Sequence, residues 1–380
     1  MKTLLQIIAG IVLVLGALVV AIVAWALATE YRPDPVEPVP VECDIEGEAL
    51  QAGTPFTVLS WNLQYSASRK HRFFYDGGDV VHVPQADVDA TVRAISQVLR
   101  EQAPDIALLQ EVDRDSTRTG RIDQLPAFRI AAEAACSAAA PYHKSPFVPA
   151  PAGNPLGRVD MELAVLTRGP MTAAHRIQLP LLDEPFYRKV FNLKRAILTA
   201  EIPVKGWGSP LAVANTHLSA FSHGDGTLSR QVDKLIEWIQ ARPEGQPWIL
   251  AGDMNMLPPG FDKSTLSTER DLYADADNPI ERLLPLGTEV LGDQLAPGNR
   301  TYLPYGARQP DRKIDYMLVG GPIHVINARV LHQHDDISDH LPIVARLVIG
   351  RPPRPPPTAP ASAIDALEAD RADPPAATGL

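Results

Sequence analysis

Leu211-Ala212-Val213-Ala214 runs into Asn215-Thr216-His217, and further on Trp248-Ile249-Leu250-Ala251 runs into Gly252-Asp253-Met254-Asn255. Each piece is a short continuous apolar run of the kind left by a strand buried on both faces, and each stops on polar residues. Between them Val232, Leu235, Ile236 and Ile239 recur at helical spacing. The unit is therefore strand–helix–strand. In open α/β sheets ligands gather beyond the carboxyl ends of the strands, which makes the polar terminators candidate site residues by position alone.

The same plan occurs earlier in the chain. Phe56-Thr57-Val58-Leu59 ends at Trp61-Asn62, and Val88, Val92, Ile95 and Leu99 form a helical stripe. Pro104 breaks that helix, and Ile106-Ala107-Leu108-Leu109 then ends at Gln110-Glu111. Further strands are expected at 162–167, 196–202, 314–319 and 342–349. Collected in order, the residues at strand ends are Asn62, Glu111, His217, Asp253, Asn255, Asp315, Asp339 and His340. Carboxylates and amides are hard oxygen ligands, suited to Mg²⁺ or Mn²⁺ rather than to a thiolate-seeking metal. Hydrolysis of a phosphate ester needs a positioned water, a base, charge neutralisation on the non-bridging oxygens and help for the leaving group. This set contains groups for each. Singly they are weak signals: Asp253 after a glycine suits an ordinary turn, and a lone His217 suits a satisfied core position. Their common placement at strand ends gives them weight.

Ser60-Trp61-Asn62, Leu109-Gln110-Glu111, Asn215-Thr216-His217-Leu218, Gly252-Asp253-Met254-Asn255, Lys313-Ile314-Asp315-Tyr316 and Ser338-Asp339-His340 resemble, in order, the motifs of the endonuclease/exonuclease/phosphatase superfamily. The resemblance spans 56–349. It implies a four-layered α/β sandwich, two packed mixed sheets with helices outside, and a divalent-metal-dependent hydrolase of phosphate esters. Residue by residue, it implies that Glu111 is the principal metal ligand, with Asn62 and Asp339, for one or two ions. Asp253 would position or deprotonate water, and Asn255 would hold the phosphate. His340, oriented by Asp315, would serve acid–base or phosphate stabilisation, and His217 would bind phosphate or protonate the leaving oxygen. Gln64 stands where abasic-site endonucleases carry an acid, and those enzymes lack a histidine at the place of His217. The chain is therefore more similar to the deoxyribonuclease, sphingomyelinase and inositol-phosphatase branch, although the Trp-Cys pair of the last group is missing before Asp311-Arg312.

The two ends are of different character. Residues 7–28 carry no charge, and at about 1.5 Å per residue they reach about 30 Å, the thickness of a bilayer core. Residues 1–29 read as an uncleaved signal anchor with the rest exported; Ala26-Leu27-Ala28 also suits cleavage to a secreted form. Pro33, Pro35, Pro38 and Pro40 suggest a polyproline stalk over 30–53, followed by the catalytic domain over 54–350. The Pro- and Ala-rich residues 351–380 read as a disordered tail. Cys43 and Cys136 are the two cysteines; they form one disulfide in an exported protein or stay as two buried thiols.

The formal charge of −10 with a pI near 5.5 gives no general basic footprint for nucleic acid. Local basic groups, Arg69-Lys70-His71-Arg72 and Arg188-Lys189 with Lys194-Arg195, supply candidate substrate contacts in Arg69, Lys70, Arg72 and Arg195. The segment 69–75 also holds Phe73, Phe74 and Tyr75, a mixture that suits a headgroup, a base or a bilayer surface. A lipid-headgroup phosphoesterase is the first reading and an anchored nuclease the second. Against a non-enzymatic binding module stands the full complement of site residues.

Overall fold

Alternation within the apolar runs sorts each strand between two interfaces, because successive side chains point to opposite faces. In the computed structural model, which describes residues 2–220, 224–273 and 278–350, Val58, Ile106, Leu108, Val213, Ile249 and Met317 meet in one core between two sheets. Their neighbours Leu59, Trp61, Ala107 and Leu109 face Ile95, Val98, Leu99 and Phe128 of one helical layer. Ala212, Ala214, Leu250 and Leu318 face Val232, Leu235 and Trp238 of another. The result is the expected four-layered sandwich, helix–sheet–sheet–helix. The expected tail, 351–380, lies outside the described residues.

One seven-stranded sheet runs in the order Ile323–Val330, Ile343–Ile349, Phe56–Asn62, Ile106–Asp113, Gly157–Thr167, Cys136–Val148, Glu42–Cys43. The other runs Val36–Pro38, Ala173–Gln178, Ala196–Ile202, Leu211–His217, Trp248–Asp253, Asp315–Gly320, Thr288–Glu289. Both are mixed: the strands of each strand–helix–strand unit pair in parallel, and their outer neighbours are antiparallel. The connecting helices are Gln85–Gln102 and Thr227–Gln240.

Each fully buried Val, Leu or Ile between the sheets contributes about 1.5–3 kcal/mol, so a polar group there must be paired. Asn215 is such a group. Its amide donates to the carbonyls of Leu109 at 2.8 Å and Ala164 at 2.9 Å on the opposite sheet, and its oxygen accepts from Gln110 Nε2 at 2.7 Å. This joint fixes the sheets against each other one residue from Glu111 and two from His217.

The N-terminal helix, Lys2–Thr29, is long and apolar enough to cross a membrane, with a mean hydropathy of 3.2 in its most apolar window, no part of which is buried. The segment beyond this helix corrects the expected stalk. Val36–Pro38 adds a strand to one sheet edge, opposite Ile177–His175. Glu42–Cys43 adds a strand to the other sheet, opposite Ser137–Cys136, and Cys43 is disulfide-bonded to Cys136. The prolines do not prevent pairing, because at a sheet edge a missing N–H faces away from the ladder. The interleaved Val39 and Val41 pack against the central core. Closing a loop with a sequence separation of 93 stabilises the fold by roughly 2–4 kcal/mol.

Candidate active site

Three adjacent strands set the first row of the site. His217 lies opposite Asp253, and Asp253 opposite Asp315. By alternation with Val213, Ile249 and Met317, all three side chains point between the sheets. Gly252 permits this close pairing: its φ is +139°, and a Cβ there would fall 1.9 Å from the Thr216 carbonyl oxygen.

Glu111 reaches the site by a different device. Simple alternation would send it with Leu109 toward the outer helices. A bulge between Leu109 and Val112 interrupts the ladder, and Glu111 takes a left-handed φ of 58°. The inserted residue re-aims the side chain, so Gln110 stays in the polar joint and Glu111 turns into the cavity. Asn255 is also left-handed, at φ 52°. Its N–H donates to Asp253 Oδ1 at 2.9 Å, and its amide to the Leu218 carbonyl at 3.0 Å.

Asp253 is the meeting point. Its Oδ2 lies 3.1 Å from Asn62 Nδ2, 3.2 Å from His217 Nε2 and 3.5 Å from His340 Nε2. His340 Nδ1 lies 2.8 Å from Asp315. Burial opposes a charge on His340, but Asp315 and Asp253 outweigh it and hold the imidazole protonated, well above its usual range. Burial, then Arg195 and His340, drive His217 well below that range. Two histidines on one carboxylate thus hold opposite charge states, with the Tyr142 hydroxyl 3.1 Å from His217 Nδ1.

The donor set fits a divalent cation. Burial first, and then the neighbouring Asp339 charge, raise Glu111 above the usual carboxylate range. Asp76, pushed up to about 7, and Glu269 are also raised by burial and by Asp339. Such a cluster of partly buried carboxylates on one cavity is what a cation relieves. Asp253, Asp315 and His340 also offer ligand atoms within 4.8 Å of one another, but there the protonated imidazole already supplies the positive charge. Asn62 keeps its oxygen on the Gln64 N–H at 3.0 Å and turns its NH₂ to Asp253 and Glu111.

These groups line a cavity of about 990 Å³ whose remaining lining mixes apolar residues, Leu181, Leu182, Pro185, Tyr187 and Phe191, with Asp183, Glu184, Arg188 and Asn192. Of the four basic candidates only Arg195 faces it; its guanidinium donates to the His217 carbonyl at 3.2 Å. The others depart from expectation. Arg69 is spent on the carbonyls of Asp335, Pro304 and Ala307, and Lys70 turns to Asp87 on the helix behind. Arg72 holds the Asp76 carbonyl and, with Arg69, lines a smaller adjoining cavity that Asp339 also lines. Sequence reasoning missed Tyr142, Asp76 and Glu269. Tyr142 gave no signal: it stands in Cys136–Val148, a strand that is not among those expected from the sequence.

His143, which lines the cavity, donates to the Phe191 carbonyl at 3.0 Å. Burial, with help from Arg118, pushes its imidazole down from 6.5 to about 3. The folded protein keeps it neutral while the unfolded chain protonates it, so this contribution is whole above about 6.5 and is lost as pH falls toward about 3. His143→Gln, which keeps a donor but cannot titrate, is expected to flatten the acid limb of a stability–pH profile by about 1.4 kcal/mol per pH unit. Denaturant melts between those limits check it; equal slopes would refute it.

A sequence model described as the Endonuclease/Exonuclease/phosphatase family matches residues 59–340. The chain belongs to that family. Membership brings the class of chemistry: this member of the endonuclease/exonuclease/phosphatase family is a metal-dependent hydrolase acting on phosphate ester bonds. Solved structures of the same fold include an endonuclease/exonuclease/phosphatase from Beutenbergia cavernae, 23% identical, with a TM-score of 0.54 over 78% of this chain and 72% of that one. A Bacteroides vulgatus family protein is 17% identical, TM-score 0.50, covering 78% and 99%. The human nocturnin catalytic domain, with a bound sulfate anion, is 16% identical, TM-score 0.50, covering 82% and 97%. No curated protein matches the chain in sequence.

Proposed function

We propose that this enzyme hydrolyses the phosphate ester of a lipid headgroup at the surface of the membrane that holds its N-terminal helix, on the exported side. The observation that carries the reading is the cavity's mixed lining, in which the acidic and histidine-bearing site residues share one space with Leu181, Leu182, Tyr187 and Phe191, interspersed with Asp183, Glu184 and Arg188. A headgroup phosphate suits the site residues, and the apolar linkage behind it suits the leucines and rings. The anchored-nuclease reading is weakened by the −10 charge and by the engagement of Arg69 and Lys70 elsewhere, since polyphosphate binding draws on free basic side chains.

Glu111 and Asp339, with Asn62 beside them, would hold Mg²⁺, with Mn²⁺ an acceptable substitute for oxygen ligands. When bound, the ion neutralises charge on the phosphate's non-bridging oxygens. Asp253 accepts the proton of the attacking water. Asn255 and Arg195 hold the phosphate as charge builds on it. His340, kept protonated by Asp315, adds its positive charge at the reacting phosphorus. The leaving oxygen takes its proton from His340, while neutral His217 keeps Nε2 on Asp253 Oδ2 and orients that base.

The test is product release by the full chain in nanodiscs of phosphatidylcholine, phosphatidylglycerol and phosphatidylinositol, compared with single- and double-stranded DNA and with RNA. Mg²⁺-dependent release from lipid with little salt dependence is expected. Release from nucleic acid alone, falling steeply with salt, would establish the nuclease instead.

A further inference from the structure

The strand register and one ion pair show at which end of the sheets the N-terminal helix joins the domain. Helix Lys2–Thr29 is followed at once by Glu30, whose carboxylate bonds Lys194 Nζ at 3.0 Å. Lys194 also donates to the Lys189 carbonyl, and the next residue, Arg195, lines the catalytic cavity. One residue advances the chain by at most about 3.6 Å, so the helix end and the catalytic rim share one level.

From there the chain runs away from the rim. Val36 lies opposite Ile177 and Pro38 opposite His175, moving down a strand whose rim end is Gln178. Cys43 is bonded to Cys136, which pairs with Thr167 at the end of the sheet far from Glu111.

At the rim, the turn Phe186–Lys189 carries two large rings in the open: Phe186 is 63% exposed and Tyr187 57%. Arg188, also exposed, and Lys189 come next in the chain. Aromatic rings beside basic side chains match the chemistry of a bilayer interface, where rings settle at headgroup level and cations meet anionic lipid. Trp25, in the last turns of the helix, and Tyr31, just beyond it, mark the same level.

We infer that Phe186–Lys189 sits in the interface of the membrane crossed by the N-terminal helix. The catalytic cavity, which Tyr187 and Arg188 line, then opens onto headgroups of that same leaflet. The inference rests on the reading of the helix as an anchor and of the site as a headgroup phosphoesterase. Its occupant is the lipid surface, because Lys194 ties the turn, through the Lys189 carbonyl, to Glu30 at the end of the apolar helix.

The test places a spin label on Tyr187→Cys, and separately on Phe186→Cys, in the full chain reconstituted into phosphatidylcholine–phosphatidylglycerol nanodiscs. Ile130→Cys is the control: this residue is 78% exposed and neighbours Arg129, which pairs with Glu42 and Asp44 at the far end. Labels at 186 and 187 are expected to lose most of their access to an aqueous nickel chelate and to gain access to oxygen, while the label at 130 does neither. Access at 186 and 187 equal to that at 130 would overturn the orientation, whatever the substrate. Interfacial labels in an enzyme that releases nothing from lipid would leave the orientation standing and overturn the headgroup reading beneath it.

Discussion

Asp253→Asn is expected to lower kcat by about three orders of magnitude or more, with KM little changed, the signature of losing a general base rather than a binding contact. The expectation follows from the traffic at one oxygen. Asp253 Oδ2 receives Asn62, His217 and His340 within 3.5 Å, while Oδ1 is fixed by the Asn255 N–H. Asparagine preserves the shape and removes the proton acceptor. Asparagine turns an NH₂ onto donors that the carboxylate accepted, so a modest fall in melting temperature is expected, with the cooperative transition kept. Activity lost in a protein that still folds separates catalysis from collapse; a folded, fully active Asp253→Asn enzyme would remove Asp253 from the chemistry.

The largest stability effect is expected at Asn215, which touches no substrate. Asn215→Leu keeps the volume but removes the Asn215 donor from the Leu109 and Ala164 carbonyls and the shortest acceptor from Gln110 Nε2, which retains the Leu108 carbonyl at 3.1 Å. A buried polar group left unpaired costs about 1–3 kcal/mol. With two such carbonyls and a weakened Gln110 amide in one network, a total of about 3–5 kcal/mol is expected, near the top of the range for single substitutions. For a domain of this size that corresponds to a fall of roughly 5–8 °C in Tm. Thermal melts of the two proteins check it, and a fall of no more than about 1 °C would refute the polar joint. Because the joint adjoins both Glu111 and His217, kcat should fall as well, in contrast to a Leu→Ala change in the outer helical layer.

Much of this arrangement is legible in the chain. Asn62, His217 and Asp253 follow from apolar runs that stop on polar residues, because a strand's alternation carries through to its last residue; Asp315 instead opens its strand and reaches the same rim by antiparallel pairing. Glu111 is legible as a strand-end acid but not in its direction: alternation sends it outward, and only the bulge at φ 58° turns it in. Asn215 and Gln110 read as motif letters, and their work as a joint requires the second sheet, which no local pattern specifies. The prolines of 33–40 suggest a stalk because local propensity favours polyproline there. Edge pairing and the packed Val39 and Val41 override it, and with the Cys43–Cys136 disulfide they bind the segment to the domain. Arg69 and Lys70 show the opposite limit. A basic cluster announces charge, and the folded loops decide whether that charge remains free.

The central claim is that the acidic well around Glu111 and Asp339 is a divalent-metal site for phosphate-ester hydrolysis. Its most direct test is turnover of bis(p-nitrophenyl) phosphate by the full-length protein in detergent with Mg²⁺, after EDTA, and after Mg²⁺ is restored, with Glu111→Gln run in parallel. Turnover should vanish with EDTA, return with Mg²⁺, and stay low in Glu111→Gln at every Mg²⁺ concentration that saturates the parent. Turnover indifferent to EDTA, or a Glu111→Gln enzyme as active as the parent at the same Mg²⁺, would contradict the claim.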